Sequence, residues 1–253
     1  MRWGLLIIGL LLLSMPPIAA APWLMPHWGL LSLAFAGMVS LAMFLEFGQR
    51  AGSSREISLT AMLGAISAVT RIPFGAFPSL QPSTFIVAVS GYAFGPVSGF
   101  MVGALTALIS NFFLGMGPWT LYQMLAWGSV GAFFSALAWL GRCISNLRFS
   151  ASGLRSQAPP QRTKDRGLKT GRLTIAILAF FGFLWGYVFG FIMNLWYLTA
   201  FGFPLTLQSV VALQAVSFWM DTLHGLGNAA FFLIFGGRMI RVLERFRRRF
   251  RRF

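Results

Sequence analysis

Thr84–Leu114, TFIVAVSGYAFGPVSGFMVGALTALISNFFL, is the stretch whose reading decides the fold. It is 31 residues of almost unbroken apolar sequence. As one helix it would be roughly 46 Å long at 1.5 Å per residue, too long for a hydrocarbon core of about 30 Å. Phe94-Gly95-Pro96 offers a break. Gly91, Gly95, Gly99 and Gly103 recur every four residues, so two arms folding back near Pro96 can pack almost backbone to backbone. Charge separates the two readings. A single crossing would put the basic segment 142–172 outside, whereas a hairpin puts it inside, where the positive-inside rule wants it. The hairpin is the expected form.

Composition supports a membrane setting for this hairpin. The chain is 57% hydrophobic and 10% charged, the balance of a polytopic membrane protein. Its net charge of +15 is concentrated in Gly48–Glu56, in 142–172 and at the C-terminus. Segment 142–172 alone holds eight Lys/Arg and one acid. That is cytoplasmic-loop patterning, and no aromatic platform accompanies it, so no nucleic-acid partner is expected. One cysteine, Cys143, excludes an internal disulfide and a Cys-based zinc cluster. Five acids are too few for a carboxylate-rich metal site or a proton relay. Neither metal nor cofactor is expected.

Along the chain, residues 1–56 read as an N-terminal extension. Residues 4–20 are either a cleavable signal peptide or a first span, and 27–47 are a second span. The main domain, 57–237, has six apolar helices with both ends cytoplasmic and the basic linker 142–172 in its middle. The basic stretch 238–253, RMIRVLERFRRRFRRF, reads as an interfacial helix on anionic lipid. The first domain helix, 57–72, carries Ala61 and Ala65, a flat strip where another helix can approach. It ends at Arg71, the one basic residue expected on the outer side. There it either snorkels or binds an anionic or carbonyl-bearing ligand. The loop 74–83, rich in Pro, Gly and aromatics, offers Gln81 and can act as a lid.

Polar side chains gather again in NFFLGMGPWTLYQMLAW, 111–127: Asn111 before the turn, then Trp119, Thr120, Tyr122 and Gln123. Such groups are costly in a membrane unless they meet a partner or a wet cavity. The alternative is a tight turn with an aromatic anchor at the interface. Helix 173–199 carries a Gly182/Gly186/Gly190 stripe and ends near Asn194. Helix 211–235 places Asp221, His224 and Asn228 on one face. Asp221 is the one acid placed well inside a span; a functional role and a pairing with Arg71 both fit.

The alanines of Ala61-Met-Leu-Gly-Ala65, together with Arg71-Ile-Pro73, Gln81-Pro82, GYAFGPVSGFMVGALTALISNFF and GMGPWTLYQMLAWG, resemble the substrate-binding S component of energy-coupling factor (ECF) vitamin transporters. They look closest to the cobalamin-type branch, over about 180 residues. Met116 and Leu121 depart from that pattern. The resemblance implies an all-α integral membrane protein: a six-helix S-component-like bundle preceded by one or two extra N-terminal spans. It implies a plasma-membrane protein that captures a vitamin, cobalamin or a related corrinoid first, and hands it on with a coupling protein and two ABC-type ATPases. The chain has no phosphate-binding glycine loop, so ATP hydrolysis belongs to those partners. Arg71, Gln81, Asn111, Trp119, Gln123, Asn194 and Asp221 are the implied substrate contacts, beneath loops 72–83, 115–119 and 200–210. Ala61 and Ala65 would face the coupling protein.

Two other classes compete. A self-sufficient secondary transporter needs coupling-ion sites near the midplane and often inverted repeats. The chain shows one deep acid and no clear repeat. An intramembrane enzyme needs a nucleophile–base pair or a metal, for which only Asp221 and His224 offer anything.

Overall fold

The computed structural model describes residues 28–50, 54–75, 77, 79–151, 171–204 and 206–250. Regular structure among them is helical throughout. In order the elements are α1 (Trp28–Arg50), α2 (Ser54–Phe74), α3 (Ser83–Phe94), α4 (Pro96–Leu114), α5 (Trp119–Ala151), α6 (Arg172–Ala200) and α7 (Leu207–Phe231). A π-helical turn, Phe232–Gly236, then leads into α8 (Gly237–Phe250). The choice between signal peptide and span for residues 4–20 lies outside the described residues, as do residues 152–170 of the basic linker.

Among the described residues, five stretches are long and apolar enough to cross a membrane: Ser54–Phe74, Pro96–Leu114, Trp119–Ile144, Arg172–Ala200 and Leu207–Arg248. The apolar stretch 84–114 is broken as its sequence demands. Gly95 sits at φ 105°, a conformation open to glycine, and Pro96 opens α4 where its missing N–H is not needed. The two arms are unequal, however. At 12 residues, α3 is about 18 Å long and cannot cross a bilayer by itself. The loop before it therefore carries Gln81 toward the depth of the bundle. Irregular backbone is tolerated there only where it lines a cavity or is buried in protein.

The glycine stripe also has a different main partner from the one its spacing suggests. Gly91 and Gly99 do approach each other, but both also abut Gly131 of α5: a Cβ on Gly99 would lie 2.5 Å from the Gly91 Cα and 3.0 Å from Gly131. Three backbones thus meet at one point, and any side chain there would push α3, α4 and α5 apart. Aromatic rings fill the neighbouring space. Phe232 stacks on Phe134 at 5.2 Å and meets Phe85 edge-on at 5.0 Å, which fastens the π turn to α5 and α3.

Polar contacts pin the bundle end remote from Gln81. Ser98 Oγ donates to Glu56 Oε1 at 3.0 Å, joining α4 to the start of α2. Arg247 Nη1 donates to the Ala93 carbonyl at 2.9 Å, satisfying an orphan acceptor in the last turn of α3. The C-terminal helix is therefore docked on protein along one side, where Ile240, Leu243 and Glu244 are buried. Arg238, Arg241, Arg245 and Arg248 line its exposed side. The first residues of the basic segment 142–172, to Ala151, continue α5 as helix.

Candidate functional site

At the other end of the bundle the helices diverge around a cavity of about 230 Å³. One wall comes from α2, the following loop and α5, and presents Arg71, Gln81, Gln123 and Trp127. The facing wall comes from α6 and α7, with Phe189, Gly190, Met193 and Asn194 on the former and Asp221 and His224 on the latter.

Arg71 does not snorkel. It is 8% exposed and held from three directions. Its Nε donates to Gln81 Oε1 at 3.2 Å, and its Nη1 donates to Ser110 Oγ at 2.6 Å and Asn111 Oδ1 at 2.7 Å. The guanidinium also lies 4.8 Å from the centre of the Trp127 ring, within cation–π range. Asn111 is held in turn, since its Nδ2 donates to Thr120 Oγ1 and Gln123 Oε1, each at 2.8 Å. All of these acceptors are neutral. Three of the five guanidinium hydrogens are used, which leaves the two on Nη2 for whatever occupies the cavity.

The α7 wall mirrors this with donors. Asp221 Oδ2 accepts from Gln214 Nε2 at 2.6 Å and from Ser217 Oγ at 2.8 Å. Asn194 Nδ2 reaches across from α6 to Gln214 Oε1 at 3.2 Å and Ser217 Oγ at 2.8 Å. Asp221 Oδ1 sits against Gly190, where a Cβ would collide with it. Among the described residues no cation pairs with Asp221 and no carboxylate pairs with Arg71, so the sequence-level alternative of an Arg71–Asp221 ion pair is not what holds either residue.

A third group closes the floor. Trp127 Nε1 donates to Thr84 Oγ1 at 3.0 Å, and Thr84 Oγ1 lies 2.9 Å from His224 Nε2. An indole can only donate, so Thr84 accepts there and has its own hydrogen to give to His224 Nε2. That assignment puts the ring proton of a neutral His224 on Nδ1. The ring also meets Phe189 edge-on at 5.0 Å.

Of the seven candidate contacts, Arg71, Gln81, Gln123, Asn194 and Asp221 line this one cavity. Asn111 stands behind it as the brace between Arg71 and Gln123. Trp119 is not among the lining residues, and its ring lies 6.0 Å from that of Trp196. Among the described residues of the three expected roofing loops, Ser79 and Gln81 of 72–83 reach the cavity. Ser79 adopts φ 57°, a left-handed conformation costly for a residue with a Cβ, in a short loop that must turn sharply to deliver Gln81. Trp127, His224, Phe189 and Met193 line the cavity without having been singled out as contacts. Helical spacing held the clue: Trp127 is four residues after Gln123, His224 three after Asp221, and Phe189 and Met193 lie on the α6 face that ends in Asn194. Asn228, grouped with Asp221 by that same spacing, instead donates to the Gly182 carbonyl at 3.1 Å and fastens α7 to α6.

Helical spans around a polar cavity define a multi-pass membrane protein with an internal solute-sized site. A family model for the substrate-specific component of ECF transporters matches residues 55–240, and the chain belongs to that family. Membership makes it a transporter subunit rather than an enzyme and implies association with ECF coupling and ATPase components. Neither the curated proteins nor the solved structures include a match to the chain.

Proposed function

We propose that the chain is the capture subunit of an ECF importer for a vitamin-class molecule. It binds that molecule from outside in the cavity between Arg71 and Asp221, and passes it inward with a coupling protein and two ABC-type ATPases. The observation that carries this is the cavity itself. Two opposite charges are buried on facing walls, each braced by neutral groups, and each keeps part of its hydrogen-bonding capacity unused. Burying a charge without a counter-charge costs several kcal/mol, so an arrangement that never pairs them points to a guest.

The remaining assignments follow from that role. Ala61 is exposed on α2 and Ala65 half-buried beside it, with Met62, Ile66 and Val69 exposed on the same side. This small-residue strip is the face offered to the coupling protein. The bundle end that carries α8 faces the cytoplasm, and the exposed arginines of α8 meet the anionic leaflet. A corrinoid, suggested by the motif string, is much larger than about 230 Å³ and would need the loops at the cavity end to open around it.

The test is uptake by cells that express the chain with and without an ECF module. Uptake should need the module, and Ala61→Trp should abolish uptake while leaving ligand binding intact. Uptake by the chain alone, or equal loss of binding and uptake in Ala61→Trp, would overturn the reading.

A further inference from the structure

The chemistry of the cavity walls restricts what the guest can be, and this inference rests on the capture role just proposed. We propose that the cavity takes a compact amphoteric ligand, with an acidic group held by Arg71, a basic or N–H-donating group held by Asp221, and a flat apolar middle against Phe189 and Met193.

Four observations converge on that class. First, Arg71 is oriented by acceptors that carry no charge, so its positive charge is not neutralised by the protein. The two Nη2 hydrogens remain to make charge-assisted hydrogen bonds to a carboxylate or similar acid. Second, Asp221 is oriented by Gln214 and Ser217 through Oδ2 alone, which leaves Oδ1 for a donor on the guest. Third, Gly190 makes room for the carboxylate itself, since a side chain there would collide with Oδ1, Cγ and Oδ2, so α6 lets Asp221 sit in the cavity wall. Fourth, the volume of about 230 Å³ lies below the range of roughly 300–1,000 Å³ typical of sites for drug-sized molecules. A guest with only one charge would leave the opposite wall uncompensated. A large guest would extend well beyond the volume between the two charges.

The experiment uses the whole chain in mild detergent and three probes of nearly equal size: 4-(aminomethyl)benzoate with both charges, 4-methylbenzoate with the acid alone, and 4-methylbenzylamine with the base alone. Calorimetric titration should rank the doubly charged probe at least about tenfold above either of the others, the scale of one charge-assisted hydrogen bond. Arg71→Gln should remove its advantage over the amine. Asp221→Asn, nearly isosteric and able to keep Gln214 and Ser217 as partners through its Oδ1, should remove its advantage over the acid. Equal binding of all three probes, no binding in the millimolar range, or tighter binding of cyanocobalamin than of any probe would overturn the proposal. So would an Asp221→Asn variant that weakens all three alike, which marks a structural role. Assembly is read separately, by recovery of the coupling protein and ATPases with the tagged chain. Failure there with the expected probe ranking would remove the importer reading and leave the ligand class standing.

Discussion

The two walls of the cavity are built in opposite ways. Around Arg71 the partners are remote in sequence: Gln81 comes from the loop after α2, and Ser110 and Asn111 from the end of α4, some forty residues on. Around Asp221 they are local, because Gln214 and Ser217 are seven and four residues earlier on the same helix. The Arg71 wall therefore depends on how three elements are assembled. The Asp221 wall depends mainly on α7 being a helix at all, with α6 set close beside it. Damage to the first should cost more stability, and damage to the second should be felt more selectively in binding.

The most severe break is to separate α6 from α7. A Cβ on Gly186 would lie 2.5 Å from the Gly225 amide nitrogen, so Gly186→Leu should destabilise the protein by about 3 kcal/mol or more. Thermal unfolding in detergent would show it; a wild-type transition would mean that the two helices are not held at that distance. Next comes Arg71→Met, which strips a donor from Gln81, Ser110 and Asn111 at once. A loss of about 2 kcal/mol is expected from the acceptors left in a buried setting. Asp221→Asn should cost less than about 1 kcal/mol, since Gln214 and Ser217 keep an acceptor. If the two losses are equal, or reversed in order, the contrast between the walls fails. The smallest expected effect is the coupling between them. In the ligand-free protein a double-mutant cycle of Arg71→Met with Asp221→Asn should give no more than about 0.5 kcal/mol, as for sites without a shared partner. Coupling well above about 1 kcal/mol would mean that the two charges pair directly.

The same contrast explains what could be read from the sequence. Asp221 and His224 lie three apart on a helix whose period is visible in the apolar pattern, so their common face follows from spacing. The break at Gly95-Pro96 follows from length and loop charge, because a bilayer fixes how long a span can be. The convergence of Arg71 on Ser110 and Asn111 does not follow in that way, because it depends on how α2 and α4 are registered against each other. Residue type still signalled it, since Arg71 and Asn111 are polar groups in apolar surroundings and must find partners somewhere. What spacing could not supply was which partners they would find: Asn111 serves Arg71 and Gln123 from outside the cavity, and Trp119, polar-tipped and beside the turn, packs with Trp196 instead. The glycine stripe shows the same limit. Its four-residue period marks a close approach but not the partner, and the neighbour that completes the contact, Gly131, is on a third helix.

If a solute is held in this protein, the cavity between these walls is where it should sit. Native mass spectrometry of the chain released from detergent, alongside Arg71→Gln and Asp221→Asn, tests that most directly. One small molecule per wild-type chain is expected, carrying both an acidic and a basic group, and lost or strongly depleted in both variants. A ligand retained equally by all three proteins would contradict it, because the molecule would then be held somewhere other than between Arg71 and Asp221.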